Sequence, residues 1–172
     1  MGGWLAAAAA LTLAACGKST PTSTGSSSSP NADVTVKTAS VPGVGTVLVN
    51  GNGRTLYILT SEAGGKITCT DASGCTRVWP DTELPAGMSA GIAGGGIEAS
   101  LFSTVKDASG SLYLTYAGFP LYTYSGDNGS GTANGQNITS FGGTWETMNP
   151  DGTPVTGAAS TTSSTGNGYS GY

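Results

Sequence analysis

Leu112-Tyr113-Leu114-Thr115-Tyr116-Ala117-Gly118-Phe119-Pro120-Leu121-Tyr122-Thr123-Tyr124 decides the fold, because two runs rich in aromatic and aliphatic residues flank a two-residue break at Ala117-Gly118. That is the pattern of a β-hairpin. An earlier stretch repeats it: Thr46-Val47-Leu48-Val49 enters the turn signal Asn50-Gly51-Asn52-Gly53, and Arg54-Thr55-Leu56-Tyr57-Ile58-Leu59 resumes as the return strand. At an offset of 65 residues Val47 lies over Leu112, Val49 over Leu114, Gly53 over Gly118, Leu56 over Leu121 and Tyr57 over Tyr122. Each copy then passes through a polar loop and reaches a tryptophan, Trp79 in the first and Trp145 in the second, one insertion apart in register.

Elsewhere between the two ends the apolar residues keep period two in short runs divided by glycine, asparagine and proline, with no amphipathic helix of ordinary length. The chain is therefore read as all-β. Two tandem antiparallel β-repeats, residues 34–90 and 91–155 with a connector at the start of the second, form one pseudo-symmetric domain. Either repeat alone would expose an apolar face, so burial of one against the other is the expected solution.

The ends have different compositions. Leu5 to Leu13 is an apolar run too short to span a bilayer, and it leads into Leu13-Ala14-Ala15-Cys16, which resembles the bacterial lipoprotein signal. That resemblance implies removal of residues 1–15 and a diacylglyceryl group on the Cys16 sulfur, so that lipid on Cys16 is the membrane contact. The implied location is the bacterial cell envelope, facing the periplasm or the exterior. Met1-Gly2-Gly3-Trp4 lacks the usual positive opening, which places the expected translation start upstream. After Cys16, a Ser/Thr/Pro-rich stretch to residue 33 reads as a disordered tether with a reach of roughly 20 Å. Residues 156–172, ending Gly168-Tyr169-Ser170-Gly171-Tyr172, read as a second low-complexity tail, with Tyr169 and Tyr172 as candidates for docking on the domain.

Charge and composition exclude several function classes. Six Lys and Arg against ten Asp and Glu, with no basic cluster, argue against nucleic acid as a partner. There is no histidine, which removes Ser-His-Asp and Cys-His catalysis, imidazole metal sites and histidine pH switching. With Cys16 taken by lipid, Cys69 and Cys75 remain, and in an oxidising exported compartment they are expected to form a disulfide, with a reactive thiol pair as the alternative. Closing so short a loop contributes about 2.4 kcal/mol on the chain-entropy model. Their spacing is not CxxC, and a zinc site would lack two ligands.

The repeat residues resemble the secreted-repeat lipoproteins, a bacterial family with a Tyr-x-(Phe/Trp/Tyr)-x-x-Asp motif that usually occurs in tandem. Tyr122-Thr123-Tyr124-Ser125-Gly126-Asp127 matches it fully, followed by Gly142-Gly143-Thr144-Trp145. The first copy, Tyr57-Ile58-Leu59-Thr60-Ser61-Glu62, is degenerate, with Leu59 for the aromatic and Glu62 for the aspartate, and it carries the family-like Cys69, Cys75 and Trp79-Pro80. The family has no established biochemical activity, so the resemblance implies location and architecture only.

Strand alternation puts Tyr122 and Tyr124 on one face, with Asp127 beyond the strand end. The structural reading has the rings in the core and the Asp127 carboxylate accepting N–H groups of the turn Asn128-Gly129-Ser130-Gly131. The alternative is a tyrosine-lined groove for a glycan or aromatic ligand. A third reading pairs Glu62 with Asp127 as the two carboxylates of an envelope glycan hydrolase. Other motifs carry less. Ser103-Thr104-Val105-Lys106 has the Ser-x-x-Lys spacing but lies in an expected strand; the Asp127 loop has too few carboxylates for calcium; Met88 and Met148 make a weak case for copper. Gly91-Ile92-Ala93-Gly94-Gly95-Gly96 lacks a phosphate-loop ending and reads as a flexible connector. The sum is a non-catalytic binding or structural module, without a cofactor or metal, whose partner is an envelope protein or glycan.

Overall fold

The computed structural model describes residues 1, 2 and 31–157; Cys16 and its signal, most of the tether and the tail beyond Gly157 lie outside the described residues. Nine short strands and three single 3-10 turns make up the domain, which is all-β: β1 Thr35–Val41, β2 Gly45–Asn50, β3 Tyr57–Leu59, β4 Ile92–Ala93, β5 Phe102–Lys106, β6 Leu112–Tyr116, β7 Phe119–Pro120, β8 Ile138–Ser140 and β9 Gly143–Thr147. They form three three-stranded sheets, ordered β2-β1-β4, β3-β9-β8 and β5-β6-β7. Among the described residues no helix is long and apolar enough to cross a membrane.

Both expected hairpins are present. The second turns on Ala117 and Gly118, both at positive φ (50° and 80°), so that Tyr116 faces Phe119. Positive φ at both central residues gives the turn the right-handed twist of its flanking strands. In the first, the Asn50 side-chain oxygen accepts the amides of Asn52 and Arg54, and Val49 faces Thr55. This loop is one residue longer. The hydrogen bonds Leu56 N–H to Leu48 O and Leu121 N–H to Leu114 O therefore equate Leu48 with Leu114, which corrects the sequence superposition of Val49 on Leu114 by one residue. A single-residue slip exchanges the two faces of a strand, so the difference matters.

Each hairpin gains an outer strand, β1 on β2 and β5 on β6. β4 then adds to β1 in parallel, with Ile92 N–H bonded to Val34 O and Gly94 N–H to Val36 O. The glycine-rich connector is thus a strand laid close against a neighbour. A Cβ at Gly94 would stand 2.8 Å from the Lys37 side chain, and one at Gly96 2.0 Å from Thr38.

The segment at each tryptophan pairs with the other copy. β9 pairs with β3, Tyr57 facing Thr147 and Leu59 facing Trp145, and Met148 O accepts the Leu48 amide. In mirrored fashion Asp81 faces Tyr122, Pro80 O accepts the Thr123 amide, and Thr82 O accepts the Leu114 amide. Repeats 34–90 and 91–155 therefore do not sit side by side as closed units. Each completes its neighbour's sheet.

Alternation divides the core. Leu56, Ile58 and Leu121 point into an aliphatic cluster with Val36, Leu48, Leu114, Tyr116 and Met148. Their chain neighbours Tyr57, Leu59 and Tyr122 point the other way, into an aromatic cluster with Trp79 and Trp145. The β3 strand is consequently buried on both faces. Cys69 and Cys75, both buried, form a disulfide with Cα atoms 5.0 Å apart, so they are not a reactive thiol pair. A Cys69→Ala/Cys75→Ala double variant should lose about 2 kcal/mol in guanidinium unfolding while keeping its near-ultraviolet spectrum, the entropic contribution of so short a loop.

Candidate functional site

Tyr57 and Tyr122, equivalent by the repeat, meet at the centre of the molecule. The Tyr57 amide donates to Tyr122 O at 2.8 Å and the Tyr122 amide donates to Tyr57 O at 2.9 Å. This reciprocal pair marks a pseudo-two-fold axis, because each residue does to the other what the other does to it.

The side chains cross the same axis. The Tyr57 hydroxyl donates to Asp127 Oδ2 at 2.9 Å, and the Tyr122 hydroxyl donates to Glu62 Oε2 at 2.8 Å. Each tyrosine thus holds the acid of the other copy. The remaining carboxylate oxygens are taken by loop amides at matching positions. Glu62 Oε1 accepts from the amides of Thr68 and Cys69 and from the Thr68 hydroxyl, at 2.5, 2.7 and 2.8 Å. Asp127 Oδ1 accepts from the Asn134 amide at 2.7 Å. The sequence reading placed that contact in the turn at 128–131; the carboxylate reaches further along the loop, and thereby ties down its far end. Glu62, the degenerate acid, carries out the same task as Asp127 with one more methylene.

The tryptophans stack over the axis with ring centroids 3.9 Å apart and planes within 5°. Tyr57 meets Trp79 edge-on at 5.5 Å, and Tyr122 meets Trp145 edge-on at 5.2 Å. Each such pair adds about 0.5–1.5 kcal/mol beyond its burial. The symmetry breaks at the second aromatic position. Tyr124 is half-buried and stacks on Trp79 at 4.4 Å, while Leu59 is sealed inside beside Trp145. Two glycines make room for the rings. A Cβ at Gly126 would come within 2.5 Å of Tyr124, and one at Gly135 within 2.9 Å of both Trp79 and Tyr57. The Trp145 indole N–H donates to Ser140, whereas that of Trp79 is buried with no partner among the described residues.

Burial sets the electrostatics. It pushes the Tyr57 and Tyr122 phenols well above the ordinary tyrosine value, reinforced by Asp127 and Glu62 respectively. It also raises Asp127 above the usual carboxylate range, against the opposing pull of its Asn134 and Tyr57 hydrogen bonds. The arrangement keeps the proton on each phenol, which donates it in a hydrogen bond to its carboxylate. It does not present those groups to a substrate, since Tyr57, Tyr122, Trp79, Trp145 and Glu62 are at most 1% exposed and Asp127 5%.

The other candidates disperse. Ser103 and Lys106 are three apart on β5, so they project to opposite faces. Met148 lies in the aliphatic core and Met88 packs at its margin. The sequence reading missed a cleft of about 640 Å³ whose walls include Asp71, Asp81, Glu83, Lys106, Asp107 and Tyr113. Burial, followed by the charges of Asp81, Glu83 and Asp107, pushes the Tyr113 phenol up to about 12. No motif announces this cleft, because strand exchange assembles it from three separate loops. Among the described residues no three metal-ligating side chains cluster closely enough to hold an ion.

Residues 103–148, which hold the second copy of the motif and its tryptophan, match the family described as a secreted repeat of unknown function. This is the family the motif resembles, and it points to an extracellular or envelope location. No curated protein and no solved structure matches the chain.

Two pH limbs follow from the burial. The tyrosine term stabilises fully below about pH 10, where unfolded tyrosine ionises, and is lost as pH rises further. The Asp127 term, also from a raised folded value, is lost as pH climbs from about 4 through that raised value. Unfolding midpoints measured across pH should show both declines, the first reduced in Tyr57→Phe/Tyr122→Phe and the second in Asp127→Asn. At pH 7 each single Tyr→Phe change should cost about 1.5–3 kcal/mol, as for a hydrogen bond to a charged group.

Proposed function

We propose that the protein is a lipid-anchored, non-catalytic module of the bacterial cell envelope, in which the Tyr-x-Tyr-x-x-Asp motif is an internal clasp. The observation that carries this reading is the burial of the whole constellation: the tyrosines of one copy hold the acids of the other, and the tryptophans stack between them. A hydrolytic pair needs carboxylates that reach a glycosidic oxygen and a water. Glu62 and Asp127 instead have both oxygens engaged by protein donors. A ligand groove on the tyrosine face would need the rings of both copies open to solvent, and of the motif tyrosines Tyr124 alone is half-exposed. The lipoprotein-like sequence ending at Cys16 and the secreted-repeat family support an exported, anchored protein, and the absence of histidine supports the non-catalytic reading. Its partner, an envelope protein or glycan, then meets the outer surface.

Two measurements test this. Cys16→Ser should abolish incorporation of a labelled fatty acid and release the protein from the membrane fraction; retention of label would overturn the anchor. In pull-downs from the native envelope, Tyr122→Phe and Asp127→Asn should recover the same bound set as the unaltered protein. Loss of partners from a variant still folded at the assay temperature, or release of reducing ends from envelope glycan that Glu62→Gln abolishes, would make the motif a working site.

A further inference from the structure

The clasp also joins five oxidisable rings into one continuous path. Tyr124, half-buried at the surface end, stacks on Trp79 at 4.4 Å, and Trp79 stacks on Trp145 at 3.9 Å. Tyr57 meets Trp79 at 5.5 Å and Tyr122 meets Trp145 at 5.2 Å, so each buried phenol touches an indole. Electronic coupling falls exponentially with separation, and rings in contact therefore exchange an electron readily.

The rings differ in where a proton can go. An aromatic ring that has lost an electron is a strong acid, and the hole comes to rest where a base takes the proton. The Trp79 N–H is buried with no partner among the described residues, and the Trp145 N–H donates to the Ser140 hydroxyl, a poor base. A hole on either indole keeps its proton and moves on. Each buried phenol, by contrast, already donates to a carboxylate, Tyr57 to Asp127 at 2.9 Å and Tyr122 to Glu62 at 2.8 Å. Burial works in the same direction: it penalises the charged form of Asp127 and so makes that carboxylate a better proton acceptor. Burial also disfavours a phenolate, which would add a charge, whereas a phenoxyl radical is neutral.

We propose that the cluster is an electron relay ending in a radical store, in which an outer-sphere one-electron oxidant at Tyr124 draws an electron through the indoles from Tyr57 or Tyr122. In that step the phenol O–H bond breaks, an O–H bond forms on Asp127 Oδ2 or Glu62 Oε2, and the single electron released reduces the oxidant. The product is a neutral phenoxyl radical beside a neutral carboxylic acid, so the buried pair sheds its negative charge, and the acid returns the hydrogen bond to the phenoxyl oxygen. Because Tyr57 and Tyr122 are sealed from solvent, a second radical does not reach them. The relay depends on the crossed hydrogen bonds and not on the lipid anchor or an envelope partner.

Flash oxidation of the full chain by photogenerated tris(bipyridine)ruthenium(III), followed by electron paramagnetic resonance and transient absorption, tests the relay. The unaltered protein should give a tyrosyl radical that forms more slowly after full exchange into deuterated water and outlives that of free tyrosine by about tenfold or more. Tyr57→Phe/Tyr122→Phe should give a tryptophanyl radical in its place. Asp127→Asn/Glu62→Gln, which keeps acceptors but removes the bases, should cut the tyrosyl yield about tenfold. Tyr124→Leu should slow formation without changing the species. The near-ultraviolet signal of the Trp79–Trp145 stack shows that each form is folded, and the phenol pair and the deuterium effect decide the matter if the carboxamide form is not. A tyrosyl yield unchanged in Tyr57→Phe/Tyr122→Phe would place the radical on surface rings and overturn the relay. So would a tryptophanyl radical in the unaltered protein, equal rates in ordinary and deuterated water, or an unchanged rate in Tyr124→Leu.

Discussion

Everything in this fold converges on two crossed phenol–carboxylate hydrogen bonds, Tyr57 to Asp127 and Tyr122 to Glu62. A carboxylate moved from water into an apolar interior is costly unless its oxygens are bonded. Each acid meets that demand by recruiting a tyrosine from the other copy and amides from its own loop. Neither copy can satisfy its acid alone, so the constraint that makes the loops compact also makes the two copies inseparable.

Strand exchange is the same dependence expressed by the backbone. The segment after Trp79 bridges to the second copy's hairpin and β9, which carries Trp145, pairs with the first, which brings the indoles face to face over the Tyr57–Tyr122 bridge. The two polar loops are then secured differently. In the first copy the Cys69–Cys75 disulfide holds the segment that supplies the Glu62 donors; in the second, Thr55 bonds Thr132 O and Gln136 bonds Thr147. With the motif spent on holding the copies together, the two copies differ at surfaces such as the acid-lined cleft beside Tyr113.

Much of this was legible in the chain. Period-two runs, the Asn50-Gly51 and Ala117-Gly118 breaks and the offset of Tyr57 from Tyr122 gave the all-β class, both hairpins and the equivalence of the copies. What alternation cannot show is which copy a strand pairs with. Trp79 and Trp145 match as repeats in the sequence, but their exchange depends on long-range packing. Repeat position marks Glu62 and Asp127 as the equivalent acids, yet the crossing of their partners has no local signal, since Tyr122 stands five residues from Asp127 and bonds Glu62, sixty residues away. The glycine connector misled for a related reason. Its glycines serve close approach to β1 rather than freedom, and a sequence writes both alike.

Double-mutant cycles in chemical unfolding test the crossed clasp most directly. Tyr57→Phe with Asp127→Asn, and Tyr122→Phe with Glu62→Gln, should each show a coupling of about 1–3 kcal/mol, as for groups in direct hydrogen-bonded contact. Tyr57→Phe with Glu62→Gln, and Tyr122→Phe with Asp127→Asn, should be additive within about 0.5 kcal/mol. Strong coupling inside each copy, with additivity between copies, would contradict the account.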